Sequence, residues 1–270
     1  MKSNIMLIIV LFCTPYFLSC TESKQTVEIK NGVLDLRNWD FNSKGTVSLA
    51  GKWEFYWQEL LFHKNFKQKI KPQKTGFITV PSVWNDFSIH NNKLPPTGYA
   101  TYRLTVLIKN QQEPLALKIL DFATSFSLYI NGKKITSSGK VGKTKRTNKA
   151  EWFPHVASFV PQTNMLEIIV HVSNYSYFLG GFWNTIHLGN TRDIIHLRER
   201  NLSIELFLFG SILIIAIYHL GLFILRRNDY SLLYFSIFSL LISLRAIISN
   251  EKFIVSFFKV TNWAVLYKLI

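Results

Sequence analysis

The chain has 270 residues, with 31 lysines and arginines against 16 aspartates and glutamates, a formal net charge of +15. Hydrophobic residues make up 48% and charged residues 17%, enough apolar material for a real core over about two domains. The basic excess could suggest a nucleic-acid partner, but the lysines are scattered over turns, so no nucleic acid is expected. Their densest cluster, Lys133, Lys134, Lys140, Lys143, Lys145 and Arg146, reads as one loop region. It is either simply solvated or a basic face for anionic lipid or an anionic glycan. Cys13 and Cys20 are the two cysteines, both in the N-terminal segment. The rest of the chain therefore has no disulfide, no thiolate metal site and no cysteine nucleophile.

Residues 1–20 read as a signal sequence, with Lys2 as the basic region and 5–12 as the apolar run. Phe17-Leu18-Ser19-Cys20 is similar to a lipoprotein cleavage box with Cys20 as the lipidated residue. Ordinary cleavage or an uncleaved anchor is the alternative. After a polar linker, residues 26–192 show β patterning. The run 47–57 alternates faces and is rich in aromatic and β-branched residues. Further strands are expected at 102–109, 115–121, 125–130, 167–173 and 185–188, separated by Gly-, Asn- and Pro-rich turns. Asn131-Gly132 between two apolar runs signals a two-residue hairpin. Many short strands with regular turns predict a β-sandwich. Residues 58–66 read as a short helix or an irregular excursion.

The character changes at residue 193. Residues 193–203 are charged and helical in pattern, a connector. Residues 204–225 form an apolar stretch long enough to cross about 30 Å of hydrocarbon. Arg226 and Arg227 follow, and their charge prefers the cytoplasmic side. Residues 231–248 form a second apolar run that turns back, and 253–270 reads as a partial third membrane segment. The expectation is the front part of something larger, or a truncated gene product.

Candidate site residues divide by position. Trp53, Phe55, Tyr56, Trp57 and Trp84 could stack on sugar rings, but the period-two pattern assigns alternate members to the core. Trp152, Tyr175, Tyr177, Phe182 and Trp183 sit near Gly- and Asn-rich turns, where aromatic rings are better placed to meet a ligand. Arg103 could clasp a carboxylate or sugar hydroxyls, or pair structurally with Glu54, Asp86 or Asp121. Asn174 could orient a ligand hydroxyl or close a turn. His219 and Arg245 are polar groups within apolar runs, either functional partners or a packed neutral ring and a snorkelling cation. The seven histidines show no metal-ligand spacing, and no phosphate loop or nucleophile elbow appears. No enzyme activity, cofactor or metal is expected.

Several motifs in order carry a resemblance. Leu34-Asp-Leu-Arg-Asn-Trp-Asp-Phe, Leu49-Ala-Gly-Lys-Trp-Glu-Phe-Tyr-Trp, Val80-Pro-Ser-Val-Trp and Gly98-Tyr-Ala-Thr-Tyr-Arg resemble the galactose-binding-like jelly roll. That sandwich also fronts family 2 glycoside hydrolases. Ser127-Leu-Tyr-Ile-Asn-Gly, Val172-Ser-Asn and Gly180-Gly-Phe-Trp continue the order. Ala216-Ile-Tyr-His-Leu-Gly-Leu-Phe and Arg226-Arg-Asn-Asp-Tyr-Ser-Leu-Leu-Tyr-Phe resemble the first two helices of bacterial seven-transmembrane receptors with diverse intracellular signalling modules. The resemblance implies a mainly β, jelly-roll sandwich followed by membrane helices. It also implies an extracytoplasmic sensor, a small-molecule or glycan ligand, and a bacterial inner-membrane location. A homodimer rests on that analogy alone. Helices three to seven and the output module of such receptors are missing from the sequence, so a membrane-tethered carbohydrate-binding or scaffold protein is the alternative.

Overall fold

The computed structural model describes residues 27–89, 91–109, 113–120, 122, 124–151, 153–248 and 251–253. The candidate signal sequence, Cys20, Trp152 and nearly all of the third apolar segment lie outside them. Among the described residues fifteen strands run in chain order: β1 Val33–Leu36, β2 Val47–Ser48, β3 Gly51–Trp57, β4 Gly76–Val80, β5 Ser82–Val83, β6 Ser88–Ile89, β7 Asn92–Lys93 and β8 Gly98–Ile108. There follow β9 Leu115–Ile119, β10 Ser125–Ile130, β11 Lys133–Ser138, β12 His155–Phe159, β13 Met165–Asn174, β14 Gly181–Phe182 and β15 His187–Asn190. Two long helices follow, α1 Thr191–Leu225 and α2 Tyr230–Ile248.

The strands form two main sheets. The larger has the order β11-β10-β13-β8-β3-β4, with β1 parallel to β8 beyond the end of β3. The smaller has the order β12-β9-β15-β2. Alternation along the strands explains why the sheets stack. In β8, Ala100, Tyr102, Leu104, Val106 and Ile108 enter the core while Arg103 and Thr105 point away. Leu115, Leu117 and Ile119 of β9 meet them from the smaller sheet. Trp53 and Phe55 are wholly buried there, so the core assignment of the alternate aromatics holds.

Several expected boundaries shift. The stretch 47–57 is not one strand: β2 belongs to the smaller sheet and β3 to the larger. The switch falls at Gly51, whose φ of 144° is open to glycine and whose added Cβ would lie 2.8 Å from Ile29 Cβ. Strands β4 and β12 carry weak alternation and have no counterpart among the expected strands, while β11 is the second arm of the expected hairpin. The excursion after β3 holds a single helical turn, His63–Phe66, opened by a bond from the Phe62 amide to Asn65 Oδ1 (2.9 Å). Asn131-Gly132 makes the hairpin, with φ of 48° and 86°, the signs a type I′ turn requires.

The sandwich has two ends. At one, called here the Asn131 end, lie the β10–β11 hairpin, residues 160–164 and the start of α1. At the other, the Asn174 end, lie Gly98 opposite Asn174, Ser125 opposite Ser173, and Ile119 opposite His155. The basic residues read as one loop region are therefore split. Lys133 and Lys134 sit at the Asn131 end, and β11 carries the chain across to Lys140–Lys149 at the Asn174 end.

Helix α1 starts at the Asn131 end, where the Thr191 amide donates to Pro114 O (3.3 Å). It passes over the outer face of the smaller sheet, burying Ile194 against it. It then continues unbroken through residue 204, so the charged connector and the apolar stretch are one helix. Helix α2 packs back along α1 through a face of small residues, Ser236, Ser239 and Ser243, and Ser236 Oγ donates to Ala216 O (2.8 Å). Both helices are long and apolar enough to cross a membrane. Their remaining surface carries exposed Phe207, Ile214, Ile217, Ile224, Phe238 and Leu241. His219 bonds to Ile215 O through Nδ1 (2.9 Å) and packs on Phe235 of α2, a packed ring rather than an isolated polar group.

Candidate ligand-binding site

The Asn174 end brings together most of the residues expected to contact a ligand. Asn174 is the organiser of its loop. Its Nδ2 donates to Pro96 O and Tyr177 O (both 2.8 Å), and its Oδ1 accepts from the amides of Ser176 and Tyr177. Every polar atom of this wholly buried side chain is thus used within the protein, which supports the turn-closing reading. Trp84 is also wholly buried, and its Nε1 donates to Pro95 O (3.0 Å). It packs edge-on against Trp57. Gly180 lies against its indole so closely that an added Cβ would stand 2.2 Å from Trp84 Cε2. Trp84 therefore braces the loop from below, and no face of it is open to a ligand.

Phe182, grouped with the loop aromatics, is in the core. It stacks at 5.3 Å from Trp53 and 4.2 Å from Phe122. The ligand-contact expectation fails for Phe182 because β14 pairs with β5 and its ring is wholly buried. Trp183, its neighbour, is half-buried and packs edge-on against Tyr177 (5.0 Å). Its Nε1 is enclosed and has no acceptor among the described residues. Phe178, not singled out in the sequence, is 62% exposed at the loop tip. Asn85 holds that tip from both sides, donating to Phe178 O (3.1 Å) and accepting from the Gly180 amide (2.9 Å). Asn85 had no local signal beyond its place after Trp84.

A second loop shares this end. Residues 139–151 fold back on themselves through paired backbone bonds between Lys140 and Lys149 (2.9 Å each). Asn148 Oδ1 accepts from Ser125 Oγ and Ser173 Oγ (2.7 Å each), and the Gly142 amide donates to Ser173 Oγ (3.1 Å). Tyr175 donates from its hydroxyl to Lys143 O (2.5 Å), and Lys143 Nζ stands 6.0 Å from the Tyr99 ring. His155 at the same end is packed between Phe126 and Phe153, and burial lowers its pKa. The site that results is an aromatic and amide-rich loop, 174–183, beside a firmly held basic loop.

Arg103 lies elsewhere, on the outer face of the larger sheet. Its Nη1 meets Glu54 Oε2 and its Nη2 meets Glu167 Oε1, both at 2.7 Å. Its guanidinium lies over the Phe66 ring, 4.4 Å away. His63 contacts Glu167 from the excursion above, and Tyr56 donates to Glu54 Oε2 (3.0 Å). Burial works against the charge of Arg103, but the two carboxylates outweigh it and hold the guanidinium protonated. Burial first, and Glu54 second, push the Tyr56 phenol above its ordinary value. Of the three partners named from the sequence, Glu54 is a true one, and Glu167 was missed. Glu167 lies 64 positions beyond Arg103 with nothing local to mark the pairing, because β8 and β13 become neighbours only in the sheet.

Two shallow cavities of about 440 and 400 Å³ lie away from these residues. One is lined by Val27, Asp35, Trp39 and Lys44, the other by Asn42, Glu113, Asn190 and Arg192. Among the described residues no group of His, Cys, Asp and Glu is arranged to hold a metal ion.

No protein-family model matches the chain, and no curated protein matches it by sequence. Solved structures similar to it include a GH2 β-galacturonidase from Eisenbergiella tayi bound to galacturonate, with 14% identity and a TM-score of 0.37, over 54% of this chain and 24% of that one. A β-glucuronidase from an uncultured Clostridium sp. shares 17% identity at a TM-score of 0.40, over 53% and 28%. The Ruminococcus gnavus β-glucuronidase shares 16% at 0.41, over 53% and 27%. This chain thus spans about a quarter of the length of those neighbours.

Proposed function

We propose that the protein is a non-enzymatic, membrane-anchored sensory module. Its sandwich binds a small polar molecule or glycan fragment at the 174–183 loop, on the extracytoplasmic side of a bacterial inner membrane, with α1 and α2 as the first helices of a receptor. The jelly-roll and receptor resemblance rests on the ordered motifs. The observation that carries the sensory reading is the buried junction between sandwich and helices. Lys118 of β9 pairs with Glu251, which follows α2; Asn201 of α1 donates to Glu251 Oε1 (3.2 Å), and the Glu251 amide donates to Glu205 of α1 (3.2 Å). A strand that ends beside the ligand loops is thereby tied to both helices, as transmission of a binding event requires.

The aromatic rings of Tyr177, Phe178 and Trp183 on an amide-rich loop support the choice of ligand class, since such faces offer apolar area beside polar groups to a sugar ring. A thermal-shift screen of the full chain in micelles against sugars, oligosaccharides and small organic acids tests the reading. A ligand at about a hundred times its Kd stabilises the fold by about 2.7 kcal/mol. Trp183→Phe, which removes the donor together with part of the aromatic face, should weaken a hit. Spin labels at Arg198 and Lys134 should change separation on ligand saturation; unchanged distances with a bound ligand would leave the tethered-scaffold alternative.

A further inference from the structure

We propose that the Asn174 end of the sandwich rests on the bilayer surface, and that the basic loop between Lys140 and Lys149 docks on anionic phospholipid headgroups. This rests on the membrane anchoring proposed above. The level of the surface follows from the junction. The second apolar helix ends at Ile248, and Glu251 follows it directly. The apolar stretch of α1 begins at residue 204, beside Glu205. Glu251 pairs with Lys118, one position from the end of β9, and its amide donates to Glu205. The chain therefore leaves and re-enters the apolar layer at the height where β9 ends. Helix α1 starts at the opposite end of the sandwich, so the whole Asn174 end is turned towards that layer and the Asn131 end away from it.

The loop is suited to an anionic surface. Lys140, Lys143, Lys145 and Arg146 have no carboxylate within ion-pair distance among the described residues, while Lys149 pairs with Glu151. The bonds of Asn148, Gly142 and the Lys140–Lys149 pair fix the loop in advance, so little ordering accompanies docking. Phe178, exposed on the adjoining loop, offers an apolar ring at the same height. Attraction of this kind acts within a Debye length, about 8 Å at physiological salt, so height above the bilayer decides it. Lys133 and Lys134 are an internal control: equally basic, exposed, and at the far end.

The test uses the full chain in nanodiscs, with Cys13 and Cys20 replaced by serine and one fluorophore-bearing cysteine at a time: Lys145→Cys, Lys133→Cys or Phe207→Cys. Quenching by headgroup-nitroxide lipid is read in phosphatidylcholine, and with about 30% phosphatidylglycerol added. The label at 145 should be quenched about twofold or more in the anionic discs relative to the neutral ones. The gain should vanish in about 1 M NaCl, where the Debye length is about 3 Å. It should also vanish when Lys140, Lys143 and Arg146 are changed to glutamine. The label at 133 should stay unquenched throughout. Quenching at 207 with none at 145, equal quenching at 145 in both lipids, or quenching at 133 overturns the docking while the anchoring stands. No quenching at 207 overturns both.

Discussion

Each sheet carries a buried charge cluster on its outer face, and the two are built on different plans. On the larger sheet, Arg103 sits between Glu54 and Glu167 with His63 and Tyr56 at the margins, roofed by the excursion that follows β3. All of its members belong to the sandwich, its arginine side chain is 23% exposed, and each charge has more than one partner. On the smaller sheet, Lys118 meets Glu251, which the chain reaches only after both long helices, with side chains 4% and 2% exposed. The first cluster can lose a contact and keep its charges partnered. In the second, the carboxylate that meets Lys118 arrives from 133 positions further along the chain. A redundant, half-wet cluster secures a local roof. A dry single pair makes one junction depend on two distant segments.

The sharpest way to break that contrast is Lys118→Met. It leaves Glu251 buried without its cation, which costs about 3–5 kcal/mol. The melting temperature of the full chain in nanodiscs should fall by about 10 °C. Lys118→Met combined with Glu251→Leu should recover most of the loss, because an apolar pair of similar volume avoids the desolvation of both charges. A double variant as unstable as the single would show that Asn201 and Glu205 require the carboxylate. Arg103→Lys should have a smaller effect, about 2 kcal/mol, since one ammonium cannot bridge both carboxylates as the guanidinium fork does. Tryptic cleavage at Lys64 and Lys67, on the roof, should accelerate, while the helix junction should stay unchanged.

The smallest effect concerns pH. His171, under the same roof, bonds to Leu61 O through Nε2 (2.7 Å) and packs on Phe62 and Tyr129. Burial lowers its pKa from 6.5, only partly opposed by that bond. The unfolded chain then takes up a proton below about pH 6.5 that the folded protein refuses, so stability is full above that value and declines as pH falls towards the lowered one. The slope from this residue is at most about 1.4 kcal/mol per pH unit. His171→Gln, whose amide can still donate to Leu61 O, should flatten the stability profile between pH 7 and 5. An unaltered profile would assign the pH dependence to His155 instead.

What the sequence made legible is what neighbouring residues decide. Asn131-Gly132 specifies its turn because both positions need positive φ. Trp53 and Phe55 declare their burial through alternation, and the apolar run after Ile204 declares its helix through length. Partnership across the sheets is not local, and there the reading thinned. Trp84 reads as a stacking ring on its residue type alone; only the approach of Gly180 shows that its face is covered. Arg103 showed one carboxylate partner of two, and Lys118 had no reason to be noticed at all until Glu251 came to lie beside it. Loop residues such as Asn85, whose amide pins a segment more than ninety positions away, leave no periodic mark.

The unbroken helix from Thr191 to Leu225 has a consequence for phase. Its 35 residues make a rod of about 50 Å that carries sandwich and membrane segment on a single screw. Each residue inserted between Ser203 and Ile204 would turn one against the other by about 100°, and seven would restore the original facing to within about 20°. In the sensory reading proposed above, a change in the sandwich would travel along that rod as rotation, tilt or shift, and insertions counted in single residues would tell these three apart.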